Sequence, residues 1–252
     1  MERFNREFHP SKQTFTPSEP PKQNSAKSNS DWQKILTYSG QTIGVTSLIV
    51  ILMWIEIKTP RIISISADDI SGSAQVATYK TLRHDHCQNR AEYYKSGDEL
   101  IHYFFADQPE IDRELTIHNE IDTLRLCQET TPKSKEVDIG KHPGTSLILL
   151  LEQIQTKIQA LRAQGNNKPV VVTITIQATE PGEDQPPVDF NRIKTLVNAM
   201  AQDRGVISVI GIKGELQNTI ETSLKDSKNV RVFPIQSIQE AIDWSFKTGR
   251  SL

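Results

Sequence analysis

Leu147, Leu151, Ile154, Ile158 and Leu161 recur at steps of four, three, four and three, which places all five on one face of a helix. Gly165 stands where that helix would end with a positive φ. After Lys168-Pro169 comes Val170-Val171-Val172-Thr173-Ile174-Thr175-Ile176, a β-branched run of the kind found in a central strand buried on both faces. Asp189 then caps a helix carrying Phe190, Ile193, Val197 and Met200, with Gly205 as its terminator. Val206 to Ile212 reads as a second central strand, and Glu215 to Lys225 as a polar helix. Val230 to Phe233 reads as an edge strand, and Ser237-Ile238-Gln239-Glu240 as a capping box opening the last helix.

The same alternation extends backwards. Arg61 to about Ser66 predicts a strand, Ala74 to Tyr94 a helix of moderate amphipathicity, Glu99 to Phe105 an aromatic strand and Asp112 to Thr116 its neighbour. A short helix over Ile117 to Cys127 and a polar, loop-like insertion over residues 128–142 follow. Strands alternating with helices predict an α/β fold, a doubly wound, mostly parallel central sheet flanked by helices, over residues 61–252. No internal repeat is present.

Ahead of this domain the pattern changes twice. Residues 1–35 are rich in Ser, Pro, Gln and Lys without apolar periodicity and read as a disordered tail. From Ile43 to Ile57 the only charge is Glu56, and with the weakly polar residues before it the stretch 36–57 has the length of a transmembrane helix. It begins too far from the N-terminus, and lacks the small-residue site, for a cleaved signal peptide. Residues 58–60 form a linker. Arg3, Arg6, Lys12, Lys22, Lys27 and Lys34 precede the span, whereas only Lys58 and Arg61 follow closely, so the expected topology is a single-pass protein with a cytoplasmic N-terminus and an extracytoplasmic C-terminal domain. The two cysteines, Cys87 and Cys127, would then stand in an oxidising compartment, either paired or as two separate buried thiols.

At 252 residues and a net charge of −2, the chain carries no basic excess to meet a duplex, and nucleic acid is not expected as a partner. Three oxygen-rich segments fall at expected strand ends or before a helix. They are Asp68-Asp69-Ile70-Ser71-Gly72-Ser73, His142-Pro143-Gly144-Thr145, and Gln177-Ala178-Thr179-Glu180-Pro181-Gly182-Glu183-Asp184. In an open parallel sheet ligands bind at the carboxyl ends of strands where strand order reverses, so these loops bring Asp69, Ser71, Ser73, Thr145 and Glu180 into one candidate group. Hydroxyls and carboxylates without thiol or imidazole suit Mg²⁺, Mn²⁺ or Ca²⁺ rather than zinc. Helix capping by Asp69, Ser71, Ser73 or Thr145 is the competing explanation for the same residue types.

Asp69-Ile70-Ser71-Gly72-Ser73 resembles the D-x-S-x-S motif of von Willebrand factor type A (vWA) domains, and the order of strands and helices over residues 61–247 is similar to theirs. The resemblance implies a vWA/Rossmann-like fold and a metal-ion-dependent adhesion site (MIDAS) in which Ser71, Ser73 and Thr145 bind the ion through hydroxyls and Asp69 holds it directly or through water. It also implies a protein ligand whose acidic side chain completes the ion's shell. The family's third loop usually reads T-D-G; here Thr179-Glu180-Pro181-Gly182 stands in its place, with Glu180 the expected fifth ligand and Gln177 or Asp184 the alternatives.

Other chemistry is thinly represented. His84-Asp85-His86-Cys87 lacks a common helix face and is not expected to bind zinc. His102, His118 and His142 fit ordinary surface or strand-edge positions. Ser71 lacks a G-x-S-x-G elbow and no Gly-rich phosphate loop occurs, so the chain reads as a binding module rather than an enzyme. A metal-independent scaffold with a degenerate site, or an accessory subunit of an enzyme, are the alternatives.

Overall fold

The computed structural model describes residues 59–119, 121–123, 127, 144–177, 188–212 and 214–252. The expected tail at 1–35 and span at 36–57 lie outside the described residues, as do His142, Glu180, Asp184 and residues 128–143. Among the described residues no helix is long and apolar enough to cross a membrane.

Six strands form one sheet in the order β3-β2-β1-β4-β5-β6. They are β1 (Ile63–Asp69), β2 (Glu99–Phe105), β3 (Pro109–Thr116), β4 (Val170–Thr175), β5 (Gly205–Ile210) and β6 (Val230–Phe233). All neighbours are parallel except the β2–β3 pair, which is antiparallel with an irregularity at His102/Tyr103. The helices are α1 (Ala77–Ala91), α2 (Leu147–Ala163), α3 (Phe190–Gln202), α4 (Gly214–Leu224) and α5 (Ile238–Ser251). β1, β4 and β5 are buried along their whole length, as central strands covered on both faces must be.

Alternation along each strand divides the core into two layers. Ile63, Ile65 and Ala67 of β1, with Val170, Val172 and Ile174 of β4, pack in one cluster with Leu147, Leu151, Ile154 and Ile158 of α2, and with α3 and α4. The opposite face meets α1 and α5 through Tyr79, Leu82, Ala241, Ile242 and Phe246. Cys87 of α1 and Cys127 form a disulfide with Cα atoms 5.5 Å apart, which decides the question the sequence left open.

Several boundaries differ from expectation. The helix expected from Ala74 divides into a short 3₁₀ turn, Ser73–Gln75, and α1, because Val76 is extended. Gly165 ends α2 at φ +81° as expected, but Arg204 at φ 61°, rather than Gly205, takes the left-handed position after α3. Gly205 begins β5 instead. Asp189 caps α3 by accepting from the amides of Asn191 and Arg192. The capping box at Ser237 is not formed: a 3₁₀ turn, Ile235–Ser237, leads into α5 and the Ser237 side chain makes no cap bond.

Candidate functional site

β1 and β4 lie side by side although β2 and β3 separate them in sequence, so the order of the sheet reverses between them. A crevice at the carboxyl ends of two such strands is the usual ligand position in an open α/β sheet. Asp69 closes β1 at this point and is only 1% exposed. Its Oδ1 accepts the Ser71 amide at 2.9 Å, and its Oδ2 accepts the Gln177 amide, just past β4, at 3.2 Å. The carboxylate therefore ties the two strand ends together.

The turn after Asp69 brings Ser71 Oγ and Ser73 Oγ within 3.2 Å, the first buried and the second exposed. Neither serine nor Asp69 caps a helix: Gly72 and Val76 occupy the N-cap positions of the 3₁₀ turn and of α1, and neither makes a side-chain cap bond. The competing explanation for these three residues thus loses its geometry.

Thr145 reaches the same end of the sheet from another loop. The Ser146 amide donates to Ala106 O, directly after β2, at 2.9 Å, and Thr145 is 2% exposed. Ser146, not Thr145, is the N-cap of α2, accepting the Leu149 amide at 3.4 Å. Glu180 and Asp184 lie outside the described residues, whereas the alternative Gln177 is placed beside Asp69. Gln177 Oε1 is buried without a hydrogen-bond partner among the described residues, an amide oxygen that a cation or a water would satisfy.

The donor set fits a hard divalent ion: one carboxylate, hydroxyls and an unsatisfied amide oxygen, all oxygens. Among the described residues no group of three or more His, Cys, Asp or Glu side chains is arranged to hold a metal. Burial pushes the Asp69 carboxyl up from its ordinary value, against the Ser71 and Gln177 hydrogen bonds and the Arg83 charge. A cation at the turn would oppose that effect.

No family profile matches the chain, and no curated protein matches it. Solved structures do. Proximal thread matrix protein 1 from the mussel byssus superposes with a TM-score of 0.51 at 12% identity, over 76% of this chain and 48% of that one. The chain thus spans about half the length of the mussel protein, which has also been solved with a zinc-occupied MIDAS motif. An aerotolerance-related membrane protein from Bacteroides fragilis gives a TM-score of 0.50 at 12% identity, over 74% of this chain and 98% of that one. A von Willebrand factor type A protein from Catenulispora acidiphila gives 0.48 at 11% identity, over 76% and 42%. The fold is vWA-like.

Beneath the loops of this vWA-like fold lies a polar cluster that the sequence reading missed. Asp68 Oδ1 accepts Thr175 Oγ1 at 2.6 Å and lies 2.8 Å from His86 Nδ1, and its Oδ2 lies 3.0 Å from His102 Nε2. His86 Nε2 meets Thr173 Oγ1 at 2.8 Å, and His102 Nδ1 meets Asp112 Oδ2 at 3.0 Å. His102 is therefore no surface or strand-edge residue; at 2% exposure it joins β1, β2 and β3 inside the core. Burial alone would raise the Asp68 carboxyl, but His86 and His102 outweigh it and hold it well below the ordinary carboxylate value. His86 is lowered from 6.5 to about 4 by burial and by Arg90, with Asp68 opposing. The one signal in the sequence was the strand itself, where Ser64, Ser66 and Asp68 alternate with apolar residues.

Proposed function

We propose that this chain is a membrane-anchored binding protein whose vWA-like domain captures a protein partner through a divalent cation, Mg²⁺ or Mn²⁺ by preference and Ca²⁺ as a third choice. In this reading Ser71, Ser73 and Thr145 hold the ion through hydroxyls, Asp69 holds it directly or through water, and the β4 loop adds Glu180 or Gln177. Neutral hydroxyls leave the ion electrophilic, so an acidic side chain of the partner can complete its shell. The domain binds and does not catalyse.

The observation that carries this reading is the turn at Asp69, where two serine hydroxyls and a buried carboxylate converge at the strand-order reversal without capping a helix. The Cys87–Cys127 disulfide supports placing the domain outside the cytoplasm, in keeping with the basic residues before the apolar stretch 36–57. Pro60 O is held by Arg250 at 2.8 Å at the amino end of the domain, so a tether there joins it at the end opposite Asp69.

Calorimetric titration of Mg²⁺ and Mn²⁺ into the full chain in detergent tests the proposal. Saturable binding that Asp69→Ala abolishes is the expected result. No uptake at millimolar metal by a folded chain would discard the ion and leave a metal-independent scaffold, in which Asp69 serves to accept the Ser71 and Gln177 amides.

A further inference from the structure

Backbone carbonyls are good ligands for hard cations, and a tight turn points several of them in different directions. In the Asp69–Gln75 turn those of Asp69, Ile70, Ser71, Gly72 and Ala74 already accept hydrogen bonds. Arg83, in the second turn of α1, places a single nitrogen, Nη1, 3.0 Å from Asp69 O and 2.9 Å from Ala74 O. Gln75 Nε2 donates to Ile70 O at 2.8 Å and reaches Ser71 O at 3.4 Å. The Ala74 amide also donates to Ser71 O at 3.0 Å, and the Gln75 amide to Gly72 O at 3.3 Å. Both ends of the turn are thus fastened to one guanidinium, and its middle to one amide. The side-chain oxygens of the turn are the Asp69 carboxylate, which also accepts the Ser71 and Gln177 amides, and the Ser71 and Ser73 hydroxyls, the latter pair held 3.2 Å apart.

We propose that Arg83 is a positioning residue for the ion site, acting through the carbonyls of Asp69 and Ala74, with Gln75 as its second point of attachment. This rests on the ion reading given under Proposed function. Arg83 is half-buried and close enough to Asp68 and Asp69 for their charges to act on it, so its own charge reaches the site. A positive charge beside a cation site repels the cation. Its two effects therefore have opposite signs: as a charge alone Arg83 weakens ion binding, and as a brace it strengthens it by fixing the ligands before the ion arrives. The structure favours the brace, because two short hydrogen bonds from one nitrogen span the turn end to end.

The test uses the full chain in detergent with two readouts: Mn²⁺ affinity, and amide hydrogen exchange across residues 69–76 without metal. Arg83→Gln is expected to raise the Mn²⁺ dissociation constant about 10- to 100-fold, the usual consequence of losing a residue that orients metal ligands. It is also expected to speed exchange in the turn. Arg83→Lys is expected to recover much of both, since one ammonium nitrogen can donate to two carbonyls, and Gln75→Met to shift both in the same direction as Arg83→Gln. Equal or tighter Mn²⁺ binding by Arg83→Gln with unchanged exchange would overturn the proposal and leave Arg83 as a charge only. If the unmodified chain takes up no Mn²⁺, the ion reading is what fails; unchanged exchange in Arg83→Gln would then remove the brace as well, whereas faster exchange would keep it as a property of the turn.

Discussion

Thr145 and Ser146 are adjacent hydroxyl residues at the start of α2, and the structure gives them different work. Ser146 Oγ accepts the Leu149 amide, while Thr145 sits buried outside the cap at the end of the sheet that carries Asp69. Ser146→Ala should therefore destabilise the chain by about 1 kcal/mol, as loss of an N-cap does, and leave Mn²⁺ affinity nearly unchanged. Thr145→Val keeps the shape and removes the hydroxyl. It should weaken Mn²⁺ binding at least tenfold, about 1.4 kcal/mol, with a smaller effect on the urea midpoint. An equal loss of stability from both substitutions, without loss of ion binding from Thr145→Val, would return Thr145 to a packing role. Thr145 was singled out in the sequence by its place in the P-G-T segment before an apolar helix, with helix capping as the alternative. The division of labour between neighbours was not, since an N-cap cannot be assigned to one of two adjacent hydroxyls without backbone angles.

The elements that the sequence showed best are those with aliphatic periodicity: α2, β4, α3 and β5 all appear within a few residues of expectation. What stayed hidden is the polar layer between the sheet and α1. Alternating polar residues usually mark a strand's solvent face, but β1 and β4 are covered on both sides, so Asp68, Thr173 and Thr175 point into a buried network with His86 and His102. Such groups are retained only when satisfied, because an unpaired buried charge is strongly destabilising. His86 gives this layer a pH signature. Its folded value is lowered from 6.5 to about 4, so across that interval the unfolded chain takes up a proton that the folded chain refuses. Stability from this residue is complete above 6.5 and is lost as pH falls toward about 4. His86→Gln should be less stable than the unmodified chain at about pH 7, by roughly 1–3 kcal/mol for the hydrogen bonds lost. The gap should narrow by about pH 5, where the unmodified chain has lost part of its advantage. Urea midpoints at the two pH values measure this; a gap that widens on acidification would mean that His86 is charged in the folded chain.

At the end of β1 away from Asp69, one arginine gathers several ties. Arg250 binds Pro60 O at 2.8 Å, Tyr93 O at 2.7 Å and Asp98 Oδ2 at 2.5 Å, and Asp98 Oδ1 also accepts the Ile62 amide at 3.0 Å. This fixes the amino end of β1, about 20 Å from its carboxyl end at ~3.3 Å per residue. The disulfide joins α1 to Cys127 across a sequence separation of 40 and so encloses β2 and β3. A loop of that length should contribute about 3–4 kcal/mol through restriction of the unfolded chain, so Cys87→Ser with Cys127→Ser should lower the melting temperature measurably. The same bond reports on compartment, because cytosolic glutathione and thioredoxin keep most protein thiols reduced. Denatured under alkylating conditions straight from intact cells, without added reductant, the two cysteines should resist labelling and become reactive only after reduction. Prompt labelling of both would place the domain in a reducing compartment and reverse the orientation proposed for the chain.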